Sequence, residues 1–393
     1  MEGAPADIAM IGGGLQSFMG PIHRKAIEKA GCVRIACGAF GSSRQSSYDC
    51  QEALGLDSRH VFGAYRDLFR AQARLPKEQR VAFVAAVLPN TMHYPIAMTA
   101  MDTGIPVLGE KPFTCNMDEA ANLARKSKAT GVPYRIAMVY SAYSMLVKAR
   151  RLIRDGEIGL VRRFHFSMQL GWMAKRVENM GNRQALWRTD GRRNGFGGVV
   201  NDASCNCQYV LEGVTGYRIS EVCAAGHACV PGRLIPDDVT VLVRTEQGII
   251  GTFLLSQIAA GHREGLSFEI TGDKGAMRWC ESEPGRLVLV SNEGEETVLT
   301  DTTAPGGICG VDTPFGGSEA YVEALARIYC DFTESLQGHT KKSRLADNRI
   351  LGMSIEEGLR SVAVSEAITR SLAPSREGDP PVPKWIPVVV PKI

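Results

Sequence analysis

The stretch GGVVNDASCNC, residues 197–207, contains one strong acid, Asp202, among small and weakly reactive neighbours. A buried or cleft-facing carboxylate can hold a proton donor in place or orient a substrate hydroxyl. Both roles need a partner, and Ser204 and Asn206, on either side of Cys205, do not exchange a proton near neutral pH. A helix N-cap is an alternative role for Asp202, compatible with the first, because aspartate is a preferred capping residue.

A glycine-rich turn near the N-terminus forms a second candidate site. The apolar run DIAMI is followed by GGGLQS and then by FMGPIHRKAIEKAG, so strand, turn and helix succeed one another. In this context Gly12-x-Gly14-x-x-Ser17 matches a dinucleotide-binding fingerprint, in which the glycines let a pyrophosphate approach the backbone and the helix N-terminus attracts phosphate. Phe18 and Met19, at the start of the helix, are added as cofactor-binding residues. An ordinary tight turn between a strand and a helix is the alternative.

The first third of the chain alternates strand-like and helix-like segments. The strand-like runs VRIACGAF, VAFVAAVLP, PVLGEKP and VPYRIAMVY are separated by helical stretches such as NMDEAANLARKSKATG. This alternation is typical of a doubly wound parallel sheet, whose ligand crevice lies at the carboxyl ends of the strands. We therefore predict a dinucleotide-binding domain over residues 1–145.

From residue 146 onward the pattern changes to runs of strands. VTVLVRT and IIGTFLLS are joined by EQG, and LSFEITG and AMRWC by DKG, as in β-hairpins. These runs predict a second α/β domain over residues 146–393, with an open, mainly antiparallel sheet that binds the substrate and forms oligomers. The helices near the C-terminus are free to pack back on the first domain.

The second strand ends without the acid that commonly binds the ribose of NAD. No Asp or Glu occurs from Cys32 to Tyr48, and the strand is followed by GSSR, which contains Ser42, Ser43 and Arg44. Two hydroxyls and a guanidinium suit a 2′-phosphate better than a 2′-hydroxyl. The sequence thus favours NADP(H) over NAD(H), although an arginine in a surface loop explains the same residues equally well.

Composition argues against several classes of protein. The net charge is only +3 without a long basic run, so nucleic-acid binding has no electrostatic support. No apolar run reaches bilayer length, and the N-terminus does not resemble a secretion signal. Eleven cysteines without a C-x-x-C pair indicate reduced thiols in a cytoplasmic protein, and we expect no metal site. Zinc bound by Cys205, Cys207, Cys223 and Cys229 is the alternative, although their spacing is not that of a zinc knuckle.

Further short segments follow one another in a distinctive order along the chain. They are GGGLQSFMGPIHR, LPNTMHYPIA, GEKPF, VYSAYSM, ARRLIRDGEIGLVRRFHF, QALWRTD and ITGDKGAMRW. In this order and spacing they resemble the Gfo/Idh/MocA oxidoreductase family over nearly the whole chain. The resemblance implies an N-terminal Rossmann domain, a C-terminal domain on an open antiparallel sheet, and a homodimer or homotetramer. The W-R-T-D segment is similar to a branch rich in sugar and polyol dehydrogenases.

The resemblance also assigns roles to residues at strand ends. The lysine of the family's E-K-P motif, here Lys111 after Glu110, lies near the nicotinamide and the reacting oxygen. An ammonium at a strand end can donate to a developing alkoxide, or lose its proton when desolvated. Tyr140, at the end of the last strand of the first domain, is expected to face the substrate or the cofactor.

Two more segments contact the cofactor in the family. They correspond here to Leu88, Asn90 and His93 in LPNTMH, and to Trp187 and Arg188 in LWRTD. A lone histidine is more often packed than catalytic, so His93 is placed near the cofactor without a catalytic role. A packed indole beside a surface charge is the alternative for the Trp-Arg pair.

The family pattern G-G-x-x-x-D-x-G-x-H places an Asp and a His one helical turn apart, flanking the substrate. Here Asp202 is present, but Asn206 stands where the family has its general acid/base. Three interpretations follow. Lys111 transfers the proton while Asp202 holds it or the substrate; or His262 or Tyr140 replaces the missing His; or hydride transfer on an alcohol has been lost.

The sequence thus predicts an NAD(P)-dependent oxidoreductase that acts on a secondary alcohol or ketone of a carbohydrate, polyol or glycoside-like substrate. Lys111 and Asp202 are the catalytic candidates, and Tyr140, Asn206 and His262 are the substrate-binding candidates. The alternatives are NADPH-dependent reduction of a C=N or C=C bond in a biosynthetic intermediate, and a catalytically decayed sensor that binds NADP.

Overall fold

The first half of the chain folds into a five-stranded parallel sheet. The structure is a computed structural model that describes residues 4–41, 43–195, 197–263, 265–301, 319–338, 351–372 and 382–393. The strands are β1 (Ala6–Gly12), β2 (Val33–Ala39), β3 (Val84–Val87), β4 (Val107–Gly109) and β5 (Tyr134–Ile136). Their order in the sheet is β2-β1-β3-β4-β5, and every neighbouring pair is parallel. This confirms the predicted doubly wound sheet.

Continuous burial explains why these strands read as unbroken apolar runs. In β1 the four residues from Ile8 to Ile11 are at most 2% exposed, and all of β3 is buried. A parallel strand covered on both faces needs apolar side chains on both faces. The helices of this half are α1 (Gly20–Ala30), α2 (Arg44–Leu54), α3 (Tyr65–Ala73), α4 (His93–Thr103) and α5 (Met117–Thr130). Short 3₁₀ helices lie at Ser58–His60, Lys77–Gln79, Asn90–Met92 and Val139–Ala142.

A second sheet of nine strands occupies the rest of the described chain. Its strands are β6 (Val161–Gln169), β7 (Ile219–His227), β8 (Asp238–Thr245), β9 (Ile250–Ser256), β10 (Gly265–Gly272), β11 (Gly275–Cys280), β12 (Arg286–Ser291), β13 (Glu296–Thr300) and β14 (Ile386–Pro387). The order is β13-β12-β11-β10-β6-β9-β8-β7-β14. Only the pairing of β6 with β9 is parallel among these strands, so the predicted mainly antiparallel sheet is confirmed.

One face of this sheet packs on the core and the other does not. In β8, Val239, Val241 and Val243 are buried, whereas the alternating Leu242 is exposed. The period of two matches a strand with one covered face. The helices of this half are α6 (Ser144–Arg154), α7 (Arg183–Arg188), α8 (Gly191–Asn194), α9 (Val199–Thr215), α10 (Glu319–Leu336) and α11 (Ile355–Leu372), with a 3₁₀ helix at Val177–Met180.

The last two helices tie the two sheets together. Lys29 of α1 forms ion pairs with Glu319 and Glu323 of α10, and Met117 N at the start of α5 donates to Glu366 of α11. The two helices therefore contact the helices that cover the first sheet. The boundary between residues 145 and 146 stays a prediction. Within the described ranges, no helix combines the length and apolar character of a membrane span.

Candidate functional site

A cleft of about 1780 Å³ lies between the carboxyl ends of the first sheet and the second sheet. Its wall includes the glycine turn after β1, Lys111 after β4, Asp202 in α9 and Glu281 after β11. β2 lies on one side of β1 and β3 on the other, so the connections leave β1 in opposite directions across the sheet. In doubly wound sheets, ligands bind in the crevice at this point. The volume exceeds the roughly 300–1,000 Å³ of a typical small-ligand pocket, which leaves room for a dinucleotide and a substrate.

The backbone of the glycine turn leaves no space for a side chain at Gly12 or Gly14. Gly12 has φ +75°, and a Cβ there would lie 2.1 Å from Val87 O. A Cβ on Gly14 would lie 2.5 Å from Phe40 O. The Ser17 hydroxyl accepts a hydrogen bond from Gly20 N at 3.1 Å, at the start of α1. The turn and helix therefore have the backbone arrangement that binds a pyrophosphate, and the predicted cofactor residues Phe18 and Met19 line the cleft beside them.

The ribose end of the cleft differs from expectation. Arg44 is exposed and is not among the residues that line the cleft; its guanidinium lies 5.6 Å from the centre of the Tyr48 ring. Ser43 lines the cleft, and its hydroxyl also caps α2 by accepting from Ser46 N at 3.1 Å. An acid does line this end: it is Asp49 of α2, whose carboxylate accepts a hydrogen bond from Gln45. Ser42 lies outside the described residues.

Lys111 and Asp202 form a direct ion pair at the centre of the cleft. Lys111 Nζ is 2.9 Å from Asp202 Oδ1 and 3.1 Å from the Asp202 backbone oxygen. The other carboxylate oxygen accepts from Gln257 Nε2 at 2.9 Å and from Arg188 Nε at 3.3 Å. The missing partner of Asp202 is therefore a lysine 91 positions earlier. Because Gly198 with φ +58° is the N-cap of α9, Asp202 lies in the first turn and is not the cap.

The ion pair is charged on both sides. Burial by itself raises the pKa of Asp202, but Lys111 and Arg188 outweigh it and hold this pKa well below its usual range. Burial by itself lowers the pKa of Lys111. Asp202 and other nearby groups raise it by a larger amount, so this pKa lies above its usual value. Lys111 is therefore an ammonium at neutral pH. It can donate to an oxygen, and it must lose a proton before it can accept one.

Arg188 is a buried anchor for Asp202 rather than a surface charge. Its side chain is 7% exposed, and its guanidinium lies 4.1 Å from the centre of the Trp187 ring and 5.6 Å from that of Phe18. The Trp187 indole donates to Gln184 Oε1 at 3.1 Å. Stacking on aromatic faces fixes the guanidinium in the place where it meets the carboxylate. Both Trp187 and Arg188 line the cleft, as does Gln184, which the sequence analysis did not identify.

The substrate end contains a second carboxyl group that the sequence analysis missed. Tyr140 OH donates to Glu281 Oε2 at 2.8 Å, and Leu266 N donates to the same oxygen at 2.9 Å. Burial raises the pKa of Glu281, against the opposing effect of these donors and of Lys111. Tyr140 and Glu281 both line the cleft.

Asn206 lies one helical turn after Asp202 and also lines the cleft. It is 2% exposed, and Cys205 Sγ lies 3.6 Å from its Oδ1. The hydroxyl-bearing Tyr321 of α10 reaches the same cleft from a segment more than 100 residues away in sequence. No local pattern around Tyr321 or Glu281 indicated this, because both arrive through long-range packing.

The remaining predicted residues fall into two groups. Leu88, Asn90 and Glu110 line the cleft, and Asn90 Nδ2 donates to Asn194 Oδ1 at 2.7 Å. His93 is buried behind the wall, where its ring nitrogens contact Pro112 O at 2.6 Å and Leu88 O at 3.2 Å.

Burial lowers the pKa of His93, so it is neutral and positions the turns before and after it. His262 is exposed and is not among the residues that line the cleft, whereas the next residue, Arg263, is. Of the two proposed replacements for the missing histidine, the structure brings only Tyr140 into the wall.

Metal ligands do not cluster in the part of the chain that the structure describes. No group of three or more His, Cys, Asp or Glu side chains is placed there to hold a metal ion. Cys205 and Cys207 are buried in α9, and burial raises the pKa of both thiols, to about 11 for Cys205. Thiols that resist ionisation are poor zinc ligands.

Comparisons with known proteins agree with this architecture. The most similar curated proteins include an uncharacterised oxidoreductase of Bacillus subtilis, 27% identical over 377 residues that cover 93% of this chain and 94% of that protein. They also include the levoglucosan dehydrogenase of Pseudarthrobacter phenanthrenivorans, 21% identical over 93% of this chain and 96% of that protein. Among solved structures, an inositol dehydrogenase homolog from Azotobacter vinelandii in complex with NAD⁺ is 24% identical with a TM-score of 0.83, covering 98% of this chain and 97% of that one. The last likeness concerns the fold.

Two family descriptions together match most of the chain. Residues 6–138 match the oxidoreductase family with an NAD-binding Rossmann fold, and residues 146–278 match the GFO/IDH/MocA C-terminal domain. The first match contains the glycine turn and Lys111, and the second contains Asp202 and Gln257. The chain therefore belongs to the GFO/IDH/MocA family and is an oxidoreductase.

Proposed function

We propose that this protein is an NAD(P)-dependent dehydrogenase that interconverts a secondary alcohol and a ketone on a carbohydrate or polyol. The observation that carries the proposal is the Lys111–Asp202 ion pair, which lies in one cleft with the dinucleotide-type glycine turn. Relatives named as levoglucosan dehydrogenase and D-xylose 1-dehydrogenase (NADP⁺) support the substrate class.

The residues of the cleft divide the work between cofactor and substrate. Gly12, Gly14 and Ser17 would hold the diphosphate through backbone N–H groups at the start of α1. The nicotinamide supplies or accepts the hydride when the cofactor is bound. The Lys111 ammonium donates to the substrate oxygen and stabilises negative charge on it, which lowers the barrier in both directions.

Proton transfer without the histidine falls to Lys111. Asp202 holds Nζ in place and keeps it protonated, which suits donation to a carbonyl oxygen during reduction. In the oxidation direction, Lys111 must first release its proton to solvent through the open cleft. Asn206 cannot take part in this exchange, because an amide does not change protonation state; it orients a hydroxyl by donating and accepting hydrogen bonds.

The Tyr140–Glu281 pair would bind a second hydroxyl of the substrate. Because Tyr140 donates its hydroxyl proton to Glu281, the phenol and carboxyl oxygens act as acceptors for the vicinal hydroxyls of a sugar or cyclitol. Burial raises the pKa of Glu281, and the carboxyl group repels an acidic substrate when it is ionised. We therefore propose a neutral polyhydroxylated substrate.

The preference between NAD and NADP depends on which residue of α2 reaches the ribose. Arg44 supports NADP, and Asp49 supports NAD, since a carboxylate accepts from ribose hydroxyls and repels a 2′-phosphate. Arg44→Ala and Asp49→Asn separate the two. If Arg44 binds the 2′-phosphate, Arg44→Ala weakens the binding of NADPH much more than that of NADH. If Asp49 sets the preference instead, Asp49→Asn strengthens the binding of NADPH relative to that of NADH. If a substitution changes the affinity for both nucleotides equally, the substituted residue does not contact the ribose.

The proposed function is tested by titration and turnover. NADH and NADPH are titrated by fluorescence, and sugars, polyols and their keto forms are then screened as substrates. Lys111→Ala should lower kcat by at least about 100-fold while leaving nucleotide affinity within a few-fold. Lys126→Ala, which removes a half-buried lysine paired with Asp102, is the control. Tight nucleotide binding without turnover on any alcohol or ketone would refute a dehydrogenase role.

A further inference from the structure

A pair of thiols lies far from the cleft, where α10 packs against α1. The sulfur atoms of Cys32 and Cys330 are 2.8 Å apart, and both cysteines are free. Cys32 lies between the end of α1 and the start of β2, and Cys330 lies in the second half of α10. A disulfide bond requires about 2.05 Å between the sulfurs. A small side-chain movement would therefore suffice to join them.

The surrounding contacts hold the two cysteines opposite each other. Cys330 Sγ also contacts the backbone oxygen of Ala30 at 3.5 Å. Next to it in α1, Lys29 forms an ion pair of 3.0 Å with Glu319 of α10. Both thiols are half-buried, so a small reagent can reach them.

We propose that Cys32 and Cys330 are an oxidation site, which reacts with a low-molecular-weight disulfide to form an intramolecular disulfide between α10 and the first sheet. One of the two thiolates attacks one sulfur of the reagent and releases the first small thiol. The other thiolate then attacks the protein sulfur of this mixed disulfide and releases the second. The two protein thiols lose two protons and two electrons, and the reagent leaves as two thiols.

The 2.8 Å separation of the two sulfurs allows either thiol to attack first. In both cases the mixed disulfide forms directly beside the second thiol, which resolves it.

The Cys32–Cys330 disulfide would stabilise a series of contacts that extends from α10 to Glu110 in the cleft. Tyr329 precedes Cys330, and its hydroxyl lies 2.8 Å from His23 Nδ1. His23 Nε2 lies 3.0 Å from Glu110, the neighbour of Lys111. Oxidation therefore fixes the helix that supports Glu110, and it constrains a loop of nearly 300 residues, which stabilises the folded chain.

Peptide mapping of the full-length protein tests the site. The protein is incubated with glutathione disulfide, alkylated, digested without reduction and analysed by mass spectrometry. We expect one peptide pair that joins Cys32 to Cys330, absent from Cys330→Ser and retained in the control Cys223→Ser, which alters a half-buried thiol of β7. Cys32 found as a free thiol, as a lasting glutathione adduct, or bonded to another cysteine would overturn the proposal.

Thermal unfolding of the same samples tests the cross-link between the helix and the sheet. The oxidised protein should melt about 5 °C above the reduced protein, and Cys330→Ser should show no such shift. Equal melting temperatures for oxidised and reduced protein would show that the bond does not restrain α10. Both measurements are independent of substrate, so they stand whether or not the dehydrogenase activity is found.

Discussion

At the scale of single residues, the charge of Lys111 results from two opposing effects. Burial lowers its pKa, and the carboxylate of Asp202 at 2.9 Å raises it. The second effect is larger, so the ammonium persists to high pH. The rate of ketone reduction should therefore fall only as the pH rises through this elevated pKa, because the donor is then lost.

Asp202→Asn should reverse this balance. The attraction disappears while the burial remains, so the pKa of Lys111 falls and the basic limb of the kcat/KM profile for reduction moves to lower pH. The measurement is a pH profile of reduction for both proteins. Asp102→Asn, an exposed carboxylate, is the control. A basic limb at the same pH in Asp202→Asn and wild type would show that Lys111 is not the titrating donor.

Glu281 should contribute to substrate binding and not to nucleotide binding. In Glu281→Gln the acceptor charge is lost while the shape is kept, so KM should rise roughly 10- to 100-fold, in line with about 1.5–3 kcal/mol for a hydrogen bond to a charged group. The nucleotide dissociation constant should stay unchanged. Glu269→Gln, an exposed carboxylate of β10 paired with Arg278, is the matched control. An unchanged KM with lower thermal stability would reduce Glu281 to a structural acceptor for Tyr140.

At the scale of the elements, close backbone approach separates the glycines of the cleft from those of ordinary helix ends. Gly12 and Gly31 both have positive φ, of 75° and 65°. A Cβ on Gly12 would meet Val87 O at 2.1 Å, whereas a Cβ on Gly31 would have nothing within 4 Å. The cost at Gly31 is conformational alone, and the cost at Gly12 adds a backbone collision.

Replacement of these two glycines by alanine therefore forms a matched pair. Gly31→Ala should cost about 1–2 kcal/mol of unfolding free energy and leave nucleotide binding intact. Gly12→Ala should cost more and abolish nucleotide binding, because the turn must move away from Val87. Urea unfolding and fluorescence titration measure both quantities. Nucleotide binding retained by Gly12→Ala would contradict the role of this turn.

At the scale of the whole molecule, the outer face of the second sheet indicates an assembly. Leu242 of β8 and Ile250 and Leu254 of β9 are 42%, 44% and 39% exposed and lie on the same face of neighbouring strands. A cluster of exposed aliphatic side chains on a sheet typically marks a protein–protein interface. We propose that this face joins copies of the chain into a homodimer or homotetramer.

Light scattering after gel filtration tests the assembly. The wild-type protein should elute as an oligomer, and Leu254→Asp should shift it to the monomer, because an unpaired charge in an apolar interface is strongly unfavourable. Leu234→Asp, at a loop residue that is 92% exposed, should leave the mass unchanged. A monomeric wild type would refute the interface.

The sequence alone determined the features that depend on local patterns. The apolar run DIAMI predicts a strand that is buried on both faces. The glycines that follow it predict a phosphate-binding turn, because they have no side chains. Both signals lie within a few residues. Lys111 follows a strand of a parallel sheet, and carboxyl ends of such strands meet at one crevice. The runs VTVLVRT and IIGTFLLS, joined by EQG, predicted a hairpin of the second sheet, because a hairpin is also encoded within a few residues.

Only the tertiary structure decided which side chains meet. It selected Lys111 among the partners that the sequence left open for Asp202, placed the N-cap at Gly198, and brought Glu281 to Tyr140 from 141 positions away. It also placed Asp49, but not Arg44, among the residues that line the cleft, although both lie in α2. Local periodicity fixes which residues share a helix or strand. The approach of two sheets and the rotation of each helix are set by packing over the whole core, and these determine the geometry of the site.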